Sequence, residues 1–132
     1  MLFRSKVGAI AAVNALGNIY NAETGEAIAG ILSEDGNSVI STEDAMLAAV
    51  AENKNVFADN KDIVTNTTIS CVITNAKLTK SEANKLASIC HNAYARVIKP
   101  VHTSADGDTI FTMATDKVDV SADIVGGGMN EQ

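Results

Sequence analysis

The chain has 132 residues, of which 46% are apolar and 20% are charged, and its formal net charge is −6. This composition is typical of a folded globular protein of one domain and excludes an intrinsically disordered chain. The negative charge argues against nonspecific nucleic-acid binding, which needs clustered lysines and arginines. No apolar stretch reaches the roughly 20 residues of a membrane helix, so we expect no membrane partner.

Two cysteines, Cys71 and Cys90, lie outside any C-x-x-C pair. Without histidines at ligand spacing, two thiols do not make a metal site, so we expect no metal. Free thiols that behave as small buried apolar residues are favoured over a disulfide. The first five residues are too short for a signal peptide, and the prediction is a reducing, cytoplasmic compartment. No phosphate-binding or zinc motif is present, so no cofactor is expected.

The first half of the sequence predicts short strands followed by one helix. Residues 7–13 (VGAIAAV) are small and apolar, which is typical of a buried strand. Residues 18–31 contain a turn signal at 23–25 and predict a hairpin, whereas residues 33–41 are polar and predict an exposed loop. Acidic residues follow Thr42 and predict the start of a short amphipathic helix. Its apolar side chains are Met46, Leu47 and Val50.

The second half begins with a polar stretch, residues 53–65, that predicts an exposed mobile linker. It is followed by TTISCVIT, residues 67–74, whose β-branched side chains predict a strand. Thr79 and Glu82 form a capping-box pattern, and the helix that they open is expected to run to about Ile98. The apolar stripe of that helix consists of Leu86, Ile89, Cys90, Ala93 and Val97.

Pro100 predicts the end of this helix, residues 102–109 predict a turn-rich loop, and residues 110–114 predict a further strand. Three consecutive glycines at 126–128 predict a frayed end. The order is strand, hairpin, helix, linker, strand, helix, strand. It predicts an α+β or layered α/β fold without internal repeats.

Residues 66–115 carry several short motifs in a fixed order. N-T-T-I opens a strand, T-N-A-x-L-T-K precedes the capped helix, A-R-x-I-x-P ends it, and H-T-x-x-D-G-D-T-x-F follows. Together they resemble the L-aminopeptidase/D-amino-acid-esterase family, which includes the β-aminopeptidases and the nylon-oligomer hydrolases. Residues 7–30 resemble the strand and hairpin that precede the processing site in that family. The resemblance covers nearly the whole chain except its ends and implies a C-terminal fragment of a longer protein.

Members of that family are made as one inactive chain, which cuts itself before a Ser or Thr that becomes the N-terminal nucleophile. Here the resemblance implies a cut between Asn66 and Thr67. Residues 1–66 then end the α-subunit-like part, and residues 67–132 form the β-subunit-like part of one structural domain. The implied fold is part of an αββα sandwich, Ntn-hydrolase-like but with the topology of ornithine acetyltransferase. The family's N-terminal portion and its final helix are expected to be absent from this chain.

An N-terminal threonine explains why such a chain must cut itself. The α-amine of Thr67 would have a pKa of roughly 8 and could serve as the base for the hydroxyl of the same residue. Inside an uncut chain this nitrogen is an amide and has no basicity. From the residues alone, a threonine at the head of a strand is an ordinary structural residue, and the resemblance is what favours the nucleophile.

The same resemblance implies roles for three further residues. Asp106 and Asp108 lie beside the nucleophile and orient its hydroxyl, and D-G-D with Thr favours the nylon-hydrolase-like branch over the β-aminopeptidases, which have Ser and Glu there. Asn14 donates its amide to the developing oxyanion. From the residues alone, D-G-D also fits a tight turn and Asn14 a strand-end cap. His102 is predicted to be a structural loop residue, and His91 a surface or packing residue.

The sequence therefore predicts an amide or peptide hydrolase of the aminopeptidase or 6-aminohexanoate-oligomer hydrolase type. The predicted partners are a small peptide or amide substrate, two cleavage products that stay associated, and further αβ units in a homo-oligomer. One alternative is acyl transfer, as in ornithine acetyltransferase, although the H-T-x-x-D-G-D-T loop argues against it. Another is an inactive truncated fragment that only associates with partner chains.

Overall fold

The computed structural model describes residues 5–52 and 66–130. Within these ranges the chain contains both helices and strands, which confirms the α+β class. In chain order the elements are β1 (Val7–Asn14), β2 (Asn18–Tyr20), β3 (Ala27–Ala29), β4 (Ile31–Leu32), β5 (Val39–Ile40), α1 (Thr42–Ala51), β6 (Thr67–Ala76), α2 (Lys80–Val97), β7 (Ile98–Lys99), β8 (Thr109–Val118) and α3 (Ala122–Asn130).

The described residues divide into two compact units that interleave along the chain. The first unit comprises the residues up to Ala12, Ile69–Tyr94 and the residues from Thr109 onward, and the second comprises the described parts of Val13–Thr68 and Ala95–Asp108. The division predicted from the sequence, at the peptide bond between Asn66 and Thr67, is a covalent one. Units defined by contacts do not test it, so it stays a prediction.

The first unit is built on a sheet in which β6 lies between β1 and β8. β6 and β8 run parallel, with Ile69 opposite Thr109. Lys6 precedes β1, and its carbonyl oxygen accepts hydrogen bonds from the backbone N–H of Asn75 and the hydroxyl of Thr74 at the end of β6. Because the beginning of β1 meets the end of β6, these two strands are antiparallel.

One face of this sheet is packed against α2 and α3. The buried core consists of Val72, Ala76, Leu86, Cys90, Ala122 and Val125. Burial raises the pKa of the Cys90 thiol, so this side chain behaves as a neutral core residue. Cys71 is half-buried, and both cysteines are free, as predicted. A Cβ at Gly126 would lie 2.8 Å from Ile89 Cγ2, so the glycine permits close packing of the two helices.

The opposite face of β6 and β8 is apolar and exposed. Ile69 and Ile73 of β6 are 48% and 42% exposed, and Phe111 and Met113 of β8 are 58% and 57% exposed. The buried residues of β6 alternate with these exposed residues, as the period of two in a strand requires.

The second unit contains the predicted hairpin, because β2 pairs antiparallel with β3 and also with β7. Asn18 is buried, and its amide Nδ2 donates to the carbonyl of Ile40 at 2.7 Å. Its Oδ1 accepts from the hydroxyl of Thr42. Ser41 caps α1 by accepting from the N–H of Asp44. These bonds fix the start of α1 beside the hairpin.

The predictions for β6 and α2 are confirmed. β6 begins at Thr67, and α2 starts after a capping box in which the N–H of Thr79 donates to Glu82 Oε2 at 2.8 Å. The N–H of Glu82 donates back to Thr79 Oγ. α2 ends at Val97, ahead of Pro100, as the proline predicts.

Three predictions for the first half of the chain are wrong in part. β1 forms, but it is exposed along its whole length, since none of its residues belongs to the buried core of the described residues. The segment 33–41 is not only loop, since β5 pairs with β4 across a turn that Ser33 and Asp35 stabilise by hydrogen bonds. α1 forms, but the predicted apolar side chains Leu47 and Val50 are 68% and 66% exposed. An apolar pattern gives a tendency to be buried, and burial needs a partner surface.

The prediction for the end of the chain is also wrong. The segment with three glycines belongs to α3, and a helix therefore follows the last strand. That strand, β8, extends from Thr109 to Val118 and is therefore longer than the predicted strand at residues 110–114. Glycine disfavours a helix by about 1 kcal/mol per residue relative to alanine. Packing of Val125 against the core of the first unit compensates for this cost.

The predicted linker, residues 53–65, lies outside the described residues. Within the parts of the chain that the structure describes, none of the helices has the length and apolar character of a bilayer-crossing segment.

Candidate active site

The parallel pairing of β6 and β8 brings two predicted site segments together. Parallel strands begin at the same edge of a sheet, so the loop before β8 lies next to the residue where β6 begins. The pairing continues one step further as a bridge between Asn66 and Asp106. The peptide bond between Asn66 and Thr67 and the D-G-D sequence are therefore neighbours in the second unit.

The carbonyl oxygen of Asn66 accepts two hydrogen bonds. The Thr67 hydroxyl donates to it at 2.6 Å, and the backbone N–H of Gly107 donates to it at 2.9 Å. Asn66 is buried and only 7% exposed, whereas Thr67 is half-buried. The hydroxyl predicted to be the nucleophile is thus hydrogen-bonded to the carbonyl oxygen of the residue that precedes it in the chain.

Asp108 connects the loop to the residue after Thr67. Its Oδ1 accepts from the backbone N–H of Thr68 at 2.8 Å, and its Oδ2 lies 3.4 Å from His102 Nδ1. The Asp108 side chain is 6% exposed and that of His102 is 41% exposed. His102 has a φ of 56°, a left-handed conformation that non-glycine residues seldom adopt. His102, predicted to be a structural loop residue, is thus also a neighbour of Asp108.

Asp106 has a different environment from Asp108. Its Oδ2 accepts from both the N–H and the hydroxyl of Thr103, at 2.9 and 2.7 Å. Its own N–H donates to the carbonyl of Thr103. These contacts close a tight turn, which is the structural alternative that the sequence left open for D-G-D. The backbone of Asp106 forms a β-bridge with that of Asn66. The Asp106 carboxylate, however, accepts hydrogen bonds from Thr103 within the turn.

Asn14 is the last residue of β1, and its side chain is exposed. β1 and β6 are antiparallel neighbours, and Lys6 bonds to Asn75. Eight residues forward from Lys6 is Asn14, and eight residues back from Asn75 is Thr67. A register that continued without a shift from Lys6 would put Asn14 across from Thr67. Its role as an oxyanion donor stays a prediction.

The residue pattern alone did not single out Gly107 or the link between His102 and Asp108. The position of Gly107 between two aspartates could have drawn attention to it, but glycine is also ordinary in a turn. His91 is half-buried on α2, and its ring meets that of Tyr94 edge-on, which fits the predicted packing role. Among the described residues, no group of three or more His, Cys, Asp or Glu side chains is arranged to hold a metal ion.

Similarity to known proteins extends over nearly the whole chain. The profile of peptidase family S58 matches residues 3–130. The chain belongs to peptidase family S58. Among curated relatives, a 6-aminohexanoate-oligomer endohydrolase from Paenarthrobacter ureafaciens is 39% identical over 74 residues, which are 54% of this chain and 21% of that protein.

Two mycobacterial relatives of this S58 chain align over more of its length. An uncharacterized aminopeptidase of Mycobacterium leprae is 32% identical over 117 residues, 88% of this chain and 30% of that protein. One from Mycobacterium tuberculosis is 35% identical over 116 residues, 86% of this chain and 33% of that protein. The chain spans between 21% and 33% of the length of these three relatives.

Proposed function

We propose that this chain is part of an amide hydrolase that activates itself by cutting the peptide bond between Asn66 and Thr67, after which Thr67 is the N-terminal nucleophile. The observation that carries the proposal is the 2.6 Å hydrogen bond from the Thr67 hydroxyl to the Asn66 carbonyl. Membership of a peptidase family supports hydrolysis of amide bonds as the reaction class.

Self-cleavage starts from the uncut peptide bond. The Thr67 oxygen attacks the carbonyl carbon of Asn66, a C–O bond forms, and the C–N bond to Thr67 breaks. The hydroxyl proton ends on the nitrogen of Thr67, which becomes an α-amine. Water then hydrolyses the ester, leaving a carboxylate on Asn66 and restoring the hydroxyl of Thr67. The 2.6 Å hydrogen bond to the carbonyl oxygen holds the hydroxyl beside the group whose carbon it would attack, so the reacting groups are already adjacent.

Turnover of a substrate repeats the same chemistry with a separate base. The free α-amine of Thr67 has a pKa of roughly 8 in an unperturbed chain, so a useful fraction accepts the hydroxyl proton at neutral pH. The activated oxygen attacks the substrate carbonyl, the amine product leaves with that proton, and water releases the acyl group. Asp108 holds the N–H of Thr68 and so fixes the backbone next to the nucleophile. Asn14 is the proposed donor to the oxyanion.

The proposed substrates are small peptides or oligomeric amides, a class that includes the oligomers named for the relative from Paenarthrobacter ureafaciens. We further propose that the two cleavage products stay associated and that αβ units form a homo-oligomer in the cytoplasm. Because the chain spans a third or less of the length of these relatives, the proposed substrates and partners belong to the complete gene product.

Intact-mass measurement of the purified complete gene product tests self-cleavage. The expected result is two fragments separated between Asn66 and Thr67, with threonine found by N-terminal sequencing of the second fragment. Hydrolysis is then measured with linear 6-aminohexanoate oligomers and with short peptides by detecting released amines. A protein that stays in one piece and yet hydrolyses these amides contradicts the mechanism, and a complete gene product that is neither cut nor active contradicts the proposed function.

A further inference from the structure

Gly107 approaches the proposed reaction centre more closely than any side chain would allow. A Cβ built on Gly107 would lie 2.8 Å from Thr67 Oγ, a separation that real Cβ atoms essentially never show. The same ideal Cβ would lie 3.8 Å from the Cβ and Cγ2 of Thr67, which is ordinary contact. The space that a side chain at 107 would fill is therefore taken specifically by the nucleophile oxygen.

Backbone conformation does not explain the glycine at this position. The described glycines with positive φ are Gly25 and Gly36, both at 72°, and Gly107 is not among them. Since glycine is needed conformationally where φ is positive, an alanine at 107 is not penalised on that ground. The steric contact with Thr67 is then the local reason for glycine between the two aspartates.

The backbone of Gly107 is also tied to the group that would be attacked. Its N–H donates to the Asn66 carbonyl oxygen at 2.9 Å, the same oxygen that accepts from the Thr67 hydroxyl at 2.6 Å. One residue thus holds the carbonyl through its N–H and leaves room for the hydroxyl through its missing side chain.

We propose that Gly107 is a positioning residue for self-cleavage, which places the Thr67 hydroxyl on the Asn66 carbonyl because it has no side chain. This inference rests on the proposed cleavage between Asn66 and Thr67. It assigns a function to the central residue of D-G-D, which otherwise has only the role of a turn glycine. A side chain here would push the Thr67 oxygen away from the carbonyl, and a displacement of about 1 Å can reduce a rate by about 100-fold.

The first test is the rate of self-cleavage in the complete gene product with Gly107→Ala. The expected result is a chain that accumulates uncut, with a cleavage rate at least about 100-fold lower than that of the unchanged protein. Gly127→Ala is the matched control, because a Cβ at Gly127 meets nothing within 4 Å. That control is expected to be cut at the unchanged rate. Normal cleavage of Gly107→Ala overturns the inference.

A second measurement separates the steric contact from a general loss of folding. Thr67→Val and Thr67→Ala are both expected to stay uncut, but valine keeps an atom in the place of Oγ and alanine does not. Adding Gly107→Ala is expected to lower the Tm of Thr67→Val by about 3 °C or more, and that of Thr67→Ala by less than about 1 °C. Equal losses in the two backgrounds overturn the inference.

The two tests also distinguish this inference from the proposed function. If the unchanged protein is never cut, the proposed function fails, while the two stability measurements still decide whether Gly107 and the atom at the Oγ position compete for space. If the unchanged protein is cut and Gly107→Ala is cut equally fast, only the inference about Gly107 fails.

Discussion

The loop before β8 has two halves, each with one aspartate of D-G-D, and their contacts differ. In the half from Thr103 to Asp106, the N–H and the hydroxyl of Thr103 both donate to the Asp106 carboxylate and close a turn. In the half formed by Gly107 and Asp108, the bonds go to Asn66 and Thr68 instead. Two identical side chains two residues apart therefore have different neighbours, and the residue type alone does not reveal which of them lies nearer the proposed nucleophile.

A close counterpart of the first half occurs elsewhere in the chain. At the start of α2, Glu82 Oε2 accepts from the N–H and the hydroxyl of Thr79 at 2.8 and 2.7 Å. The acid and the threonine are three residues apart in both places. The Thr79–Glu82 pair therefore serves as a structural reference for the Thr103–Asp106 pair.

The largest expected effect comes from removing the Thr67 hydroxyl, which lies next to Gly107 in the second half of the loop. Thr67→Ala should leave the complete gene product in one piece and without amidase activity, because the hydroxyl is needed for both self-cleavage and turnover. Intact mass and amine release measure the two losses. Thr67→Ser is the control, and it should still be cut because it keeps the hydroxyl and, after cleavage, the α-amine. Amidase activity in Thr67→Ala would refute the mechanism, whatever the fold.

Asp108 should have the next largest effect. Asp108→Ala leaves the N–H of Thr68 without its acceptor at a nearly buried position, which costs about 1–3 kcal/mol of stability, and self-cleavage should slow by about 100-fold. Asp108→Asn is the matched variant, since it keeps an oxygen for Thr68 but loses the charge. The Tm of Asp108→Asn should be close to that of the unchanged protein, while its rate of self-cleavage should stay as low as that of Asp108→Ala. Full cleavage in Asp108→Asn would show that Asp108 acts only through its hydrogen bond to Thr68 and not through its charge.

Asp106 should affect stability more than chemistry. Asp106→Ala removes the acceptor of two Thr103 donors and should lower the free energy of unfolding by about 1 kcal/mol, with a smaller loss of cleavage rate than Asp108→Ala. Denaturant unfolding and time courses of cleavage measure the two quantities. If Asp106→Ala blocks cleavage as strongly as Asp108→Ala, the two halves of the loop are not functionally distinct.

The smallest expected effect is the pH dependence of the reference pair. The backbone N–H of Thr79 and then its hydroxyl hold the pKa of Glu82 below the ordinary value of 4.5. A carboxyl group with a lowered folded pKa contributes stability above its unfolded pKa, and this contribution is lost as the pH falls through the folded pKa. Tm should therefore fall as the pH is lowered below 4.5, and less so in Glu82→Gln than in the unchanged protein. Parallel Tm profiles of the two proteins would exclude this linkage.

The capped helix and the central strand could be predicted because local signals decide them. The Thr79–Glu82 box and the β-branched run after Asn66 act over a few residues. The glycine-rich end could not be predicted, because glycine disfavours an isolated helix and only the packing of α3 on the first unit reverses this preference. The exposure of β1 could not be predicted either, because it depends on which surfaces cover the strand.

The sequence by itself determined the motifs at the proposed site and their order along the chain, since these are properties of neighbouring residues. Through their resemblance to the family, those motifs single out Asn66, Thr67 and both aspartates as candidates. The tertiary structure decided how these residues are connected, because the parallel register of β6 and β8 brings residues about 40 positions apart into contact. Only that register directs Asp108 to Thr68 and leaves no room for a side chain at Gly107, whereas Asp106 bonds to Thr103 three residues away in a local turn.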